Sequence, residues 1–256
     1  MKRLLKNKYL PMLAFGAGIV GMVLRALLYA LCLDEKNLLP AGHPLELLLW
    51  VVTAVTLGYL IARIQKLSGS NRYVDNFRPS AVAAVGHILA GAGFLLTALI
   101  NEPMMHNYLG TIWKLLGIAA GPCLMLAGIN RVQGKRPFFV LHMVPCLFLV
   151  LHIINHYQLW SGNPQLQDYV FALFGTMTLT FFAFYSAAFD VGSGRRRMHL
   201  GMGLAAVYLC LVSLPQTEHL FLNVGGIVWA LSDLCTLEPK PRAQRRKEGE
   251  NVNDPS

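Results

Sequence analysis

The sequence predicts an all-α integral membrane protein of about eight transmembrane helices with both termini in the cytoplasm. Three observations carry this. Of the 256 residues, 55% are hydrophobic and only 14% are charged, with a mean hydropathy of +0.47, whereas soluble domains average about 25% charged residues. The apolar residues gather into runs of the roughly 20 residues that a helix needs to cross a hydrocarbon core about 30 Å thick. The basic residues gather between those runs, on alternate connections.

Taken in order, the predicted spans cover residues 10–33, 44–66, 80–100, 108–129, 137–156, 168–189, 198–214 and 218–236. The first run follows Met1 to Lys8, but it is too long for a signal peptide, contains Arg25 and lacks an Ala-x-Ala exit, so it reads as a retained helix. Pro11 and Pro137 are expected to open helices. The eighth run is the least apolar, with Glu218, His219, Asn223 and Asp233 in or beside it. From residue 237 onward Pro, Arg, Lys and Glu predominate, and the tail is expected to be disordered for want of apolar content.

Orientation follows from the distribution of positive charge, because cytoplasmic loops retain Lys and Arg. In an eight-span arrangement, nineteen of the 22 Lys and Arg residues fall on one side and only Lys36 on the other, the remaining two being Arg25 and Lys114 within spans. An odd number of spans would put the basic tail outside. The net charge of +9 is therefore a topology signal for a plasma-membrane protein and requires no nucleic acid; the lipid bilayer is the expected partner. The five cysteines are scattered singly without CxxC spacing, indicating neither a zinc site nor a disulfide framework. No cofactor motif, P-loop, GxSxG or dinucleotide fingerprint is present, so no catalytic residue is assigned.

The two halves resemble one another. Glu102, Asn107, Gly110, Trp113 and Leu115 recur at a shift of 116 as Glu218, Asn223, Gly226, Trp229 and Leu231, and Leu39, Gly42 and Pro44 recur at a shift of 120 as Leu159, Gly162 and Pro164. The expectation is a parallel repeat of four plus four helices, residues 1–130 and 131–236, related by an axis along the membrane normal, with residues 237–256 as the tail. Trp113 and Trp229 then read as matched interfacial anchors. Stripes of glycine and alanine, such as Gly16, Gly18 and Gly21, or Gly86, Gly91 and Gly93, mark faces where helices approach closely.

Charged groups within spans are functional candidates, since each costs at least about 2.5–3.5 kcal/mol to insert. Arg25, Lys114, His152 and His156 all lie toward the end away from the basic loops, beneath acids that include Glu46 and Glu102. In the repeat, Arg25 corresponds to His152. The favoured reading is a transporter or lipid-handling protein in which Arg25, Lys114, His152 and His156, with Glu46 and Trp113, bind a small anionic solute or head group from the extracytoplasmic side. A structural subunit, with Arg25 locked to Glu46 or Glu102, is the first alternative. The second is an intramembrane metal enzyme: His152 and His156 stand i, i+4 on one helix face, and His106 or His219 would supply a third ligand. His87 and His142 lie at similar depth nearer the basic side, which also raises a haem ligated across two helices.

Overall fold

Each apolar run folds as a helix. The computed structural model describes residues 2–32, 43–67, 70–103, 108–161, 166–215 and 219–238, with side chains over 9–31, 43–67, 70–103, 108–157, 169–215 and 219–238. The described residues form α1 (Lys2–Cys32), α2 (Pro44–Ile64), α3 (Tyr73–Asn76), α4 (Ala81–Ile100), α5 (Tyr108–Gln133), α6 (Val140–Ser161), α7 (Leu166–Asp190), α8 (Arg196–Ser213) and α9 (Leu220–Thr236). Only a single bridge between Phe77 and Leu237 has strand-like pairing among them. Six helices are long and apolar enough to cross a membrane: α1, α2, α4, α5, α6 and α7. The chain is thus a multi-pass membrane protein, a helical bundle suited to a lipid bilayer.

Local chemistry sets the helix ends. Pro44 opens α2, where its missing N–H costs nothing, His43 Nδ1 accepts from Leu45 N at 3.3 Å, and Glu46 lies in the first turn. Ser80 caps α4 by accepting from Ala83 N at 3.3 Å. Pro137 precedes α6, but Pro11 lies inside α1 rather than at its start. The helix begins further back, at Lys2.

The arrangement turns on α8 and α9. In α8, 13 of 18 residues are buried, and in α9, 10 of 17, against 5 of 21 in α2. Helix α8 packs on α1, α2, α7 and α9, and α9 packs on α4, α8, α1 and α7, while rings of α6 reach α9 through His142 and Trp229. The six long apolar helices form the shell, and two shorter helices lie within it: α9, which is apolar but only 17 residues long, and α8, which opens on Arg196 and Arg197. Enclosure suits the polar residues they do carry: His199, Asn223 and Asp233 are buried, and protein neighbours can supply hydrogen-bond partners that lipid would not. Apolar residues from both halves share one core, in which Phe94, Trp113, Phe148, Phe182 and Trp229 are fully enclosed.

Glycine brings the central helices close. A Cβ at Gly91 would stand 2.5 Å from Gly121 O, and one at Gly93 would stand 2.7 Å from Phe221 O, so α4 touches α5 and α9 backbone to backbone. Gly16, by contrast, faces open space with nothing within 4 Å.

The basic loops meet at one end of the bundle. Arg131 donates to Arg78 O at 3.3 Å, Gly194 N to Asn71 O at 3.2 Å and Arg197 Nε to Leu67 O at 2.7 Å. Buried Arg196 donates to Asn76 Oδ1 at 2.7 Å and to the carbonyl of Glu238, whose carboxylate also pairs with Arg78. The connections α2–α4, α5–α6 and α7–α8 and the residues after α9 are thereby clasped together. The sequence-level matches at Leu39, Gly42, Asn107, Gly162, Pro164 and Glu218 lie outside the described residues, as do His106, Lys36 and the tail beyond residue 238.

Candidate functional site

Three histidines converge at the end opposite the basic loops. His152 and His156 are one turn apart on α6, and His219 is the residue at the mouth of α9. All three are buried, with exposures of 0%, 2% and 4%. The ring of His152 is 4.1 Å from that of His156 and 4.8 Å from that of His219, and the latter two are 4.4 Å apart. One nitrogen from each lies within 4.8 Å of one from each of the others.

Helix geometry explains the meeting. An i, i+4 pair projects from one face, and α9 enters the shell with its first residue level with the last turns of α6. The nitrogens of His156 are distinguishable. Its Nδ1 lies 2.9 Å from the His152 carbonyl, which only accepts, so Nδ1 carries the proton and Nε2 keeps the lone pair a metal would take. A backbone carbonyl holding one imidazole nitrogen so that the other faces an ion is the usual support of a histidine ligand. Neither nitrogen of His152 has a hydrogen-bond partner, a costly condition for a fully enclosed imidazole. Around an ion with bonds of about 2.1 Å, tetrahedral nitrogens stand about 3.4 Å apart. Closing the widest gap therefore takes about 1.4 Å, within the range of side-chain rotation.

Trp113 walls this site. Its ring lies 5.9 Å from His152 at 28°, and Phe148 lies 6.0 Å from His152. Trp113 is fully buried, so it is not an interfacial anchor, and neither is Trp229, likewise at 0% exposure. Tyr108 and Tyr157, at 72% and 54% exposure, sit where such anchors would.

The remaining sequence candidates lie elsewhere. Arg25, at 2% exposure, donates to Val212 O at 3.3 Å and Tyr29 Oη at 3.1 Å and lies over the Phe171 ring at 5.0 Å. It belongs to the seam of α1 with α7 and α8. Lys114, half-buried on α5, lines an open groove of about 400 Å³ with Glu102, Pro103, Gly110 and Thr111. Glu46 is half-buried in the first turn of α2. Of the predicted set, the structure brings His152, His156 and Trp113 together, and adds His219.

Haem is not supported at His87. Its Nδ1 donates to Ala83 O at 2.7 Å and its Nε2 accepts from Trp229 Nε1 at 3.1 Å, so both nitrogens are occupied. Its ring is 5.8 Å from that of His142, leaving no place for a macrocycle between them.

A second polar cluster, near the basic end, was not expected. Arg131 and Asp233 form a salt bridge at 2.8 Å with side chains 3% and 6% exposed, and His199 Nε2 reaches the other oxygen of Asp233 at 3.2 Å. Beside them, His142 Nδ1 lies 2.5 Å from Asp190 Oδ2. The sequence signal was an acid at the end of the seventh helix and another inside the ninth, opposite an arginine counted among the loop charges.

The chain matches no protein-family model, and comparison with curated proteins and with solved structures returns no match.

Proposed function

We propose that this multi-pass membrane protein is an intramembrane metalloprotein in which His152, His156 and His219 hold one divalent transition metal. The observation that carries the reading is the convergence of three buried imidazoles, two with a helical spacing suited to one ion and one from a helix far away in sequence. Imidazole suits zinc, copper, iron and nickel. Three protein ligands leave a fourth position for water or substrate, the arrangement of catalytic rather than structural sites. Three neutral imidazoles contribute no charge, so the bound ion favours an anionic fourth ligand, which agrees with the small anionic solute that the sequence suggested. An ion held by His152, His156 and His219 would supply Lewis acidity at that fourth position.

In this reading all eight long helices cross the membrane, with the clasped basic end in the cytoplasm by the positive-inside rule and the metal near the extracytoplasmic side. Residues 1–130 and 131–236 are duplicated halves. In support, the matched Trp113 and Trp229 are both enclosed, and each stacks on a histidine of α6, His152 or His142.

The test is a cobalt titration of the detergent-purified protein. Stoichiometric binding with a tetrahedral visible spectrum is expected, lost in His152→Ala and His219→Ala. A ligand at about 100 times its Kd adds about 2.7 kcal/mol of stability, so wild type should also gain thermal stability that the variants do not. Absence of binding, or equal binding by folded variants, would overturn the proposal.

A second reading rests on the Lys114 groove. Its open form and single cation beside Thr111 suit an anionic lipid head group. Lys114→Gln should then reduce co-purification of anionic lipid without changing cobalt binding.

A further inference from the structure

The cluster near the basic end contains a small cavity that the metal centre does not use. About 10 Å³ in volume, it is lined by Tyr73, His142, Asp190, His87, Arg131 and Asp233, among others. That is room for one water molecule. Three atoms of its walls, Tyr73 Oη, His142 Nε2 and Asp190 Oδ1, are buried without a hydrogen-bond partner. Their residues are 7%, 4% and 2% exposed. Native interiors rarely leave such atoms unmatched, and three around one water-sized space call for a common partner.

The three atoms have complementary chemistry. Burial pushes the Tyr73 phenol up to about 12, so its hydroxyl remains a donor. Asp190 Oδ1 accepts, its companion Oδ2 already receiving the proton on His142 Nδ1. His142 Nε2 accepts while the ring is neutral and donates once it is protonated. A water has two hydrogens and two lone pairs, and can serve all three atoms in either state by turning over. With the ring neutral, it accepts from Tyr73 and donates to Nε2 and Oδ1. With the ring protonated, it accepts from both Tyr73 and Nε2 and donates to Oδ1.

The surrounding charge asks for one proton. The titratable groups facing the pair are Tyr73 from α3, His87 from α4, Arg131 from α5 and Asp233 from α9, with His199 from α8 behind them, its Nε2 3.2 Å from the other oxygen of Asp233. Arg131 and Asp233 cancel, and His87 is held neutral by its two hydrogen bonds. Asp190 is left as a buried charge that a single proton on His142 neutralises. Intramembrane Asp and His pairs of this kind are the groups from which proton relays are made.

We propose that His142, Asp190 and a water held by Tyr73 form a proton-binding site at the basic end of the bundle, distinct from the three-histidine centre. Its ligand is one proton, taken up by His142 and stabilised by the Asp190 carboxylate. The inference does not depend on metal binding.

The structure supplies its own reporter. The Trp229 ring lies 6.0 Å from His142 with the planes 3° apart, and an imidazolium stacked on indole quenches its fluorescence where neutral imidazole does not. Titration of the full-length protein in detergent should show a fluorescence step, with emission falling as pH falls, that is absent in Trp229→Phe. His142→Gln should abolish the step, Asp190→Asn should move it to lower pH by removing the anion that favours the cation, and His87→Gln should retain it. Carbon-13 spectra of histidine-labelled wild type give the same titration without a variant and cover the case in which His142→Gln does not fold. A step that survives His142→Gln, an unmoved step in Asp190→Asn, or no titrating histidine coupled to Trp229 would each overturn the proposal.

Discussion

Asp233→Asn tests whether the polar cluster holds the bundle together. The Arg131 guanidinium and the Asp233 carboxylate are 2.8 Å apart with both side chains almost completely enclosed. At an effective dielectric constant of about 20, charges at that separation attract by about 6 kcal/mol, before the cost of taking them out of water. The arginine cannot lose its charge, and after the substitution it keeps only Arg78 O at 3.3 Å and Thr236 Oγ1 at 3.5 Å as further partners. Its stacking on Phe77, 4.2 Å from ring centroid to guanidinium carbon, does not replace a counter-ion. Removing one member of such a pair costs about 3–5 kcal/mol, and the asparagine, which still accepts a hydrogen bond, should fall near the lower bound. Removing both members relieves the stranded charge, so Arg131→Met with Asp233→Leu should be at least about 2 kcal/mol more stable than the two single losses added. The assay is reversible unfolding in mixed micelles, followed by circular dichroism. Single variants costing less than about 1 kcal/mol, or a strictly additive double variant, would refute the reasoning.

Gly91→Ala should destabilise by about 1–3 kcal/mol through overpacking against Gly121 O. Gly16→Ala, which meets nothing, should be neutral or stabilising by up to about 1 kcal/mol through helix propensity; the same unfolding assay separates them. Phe148→Ala removes an enclosed ring packed at a tilt against Trp113 and should cost about 3–5 kcal/mol while weakening cobalt binding, read by titration. Arg196→Met should loosen the hold on Asn76 and Glu238, seen as faster limited proteolysis next to Leu237 with little change at the other end of the bundle.

Periodicity and length located the helices well, because a span must be apolar over its whole length whatever surrounds it. They did not reveal which helices lie inside. The eighth run looked weakest because Asp233 and Asn223 interrupt it, yet both are buried, and Asp233 is met in the interior by Arg131 and His199. Hydropathy alone counted Arg131 as a loop cation, since it stands two residues from the end of its helix; only the fold turns it inward, onto Asp233 of α9. Trp113 resembled an interfacial anchor because tryptophan at a helix entrance usually is one, and it is buried here because His152 and Phe148 cover it. The three-histidine cluster was half legible. The i, i+4 spacing of His152 and His156 is local and visible in sequence, whereas the arrival of His219 depends on the path of α9, and His106 had an equal claim until the helices were placed. Arg25 was noticed for its charge, but its partners on α7 and α8 lie well over a hundred residues away.

The enclosed position of α8 and α9 bears on how the molecule is made. Both emerge from the ribosome after the six apolar helices, and neither has the length and hydropathy that marks those six as independent spans. The shell would thus enter the bilayer before the pair that fills it, leaving Arg131, His142 and Asp190 to await Asp233, His199 and Trp229. Insertion of the final hairpin would then be driven by the unmet polar groups of the finished shell as much as by lipid. Chains stopped before residue 196 would be membrane-bound but hollow, good substrates for quality-control proteases that recognise charge within the membrane.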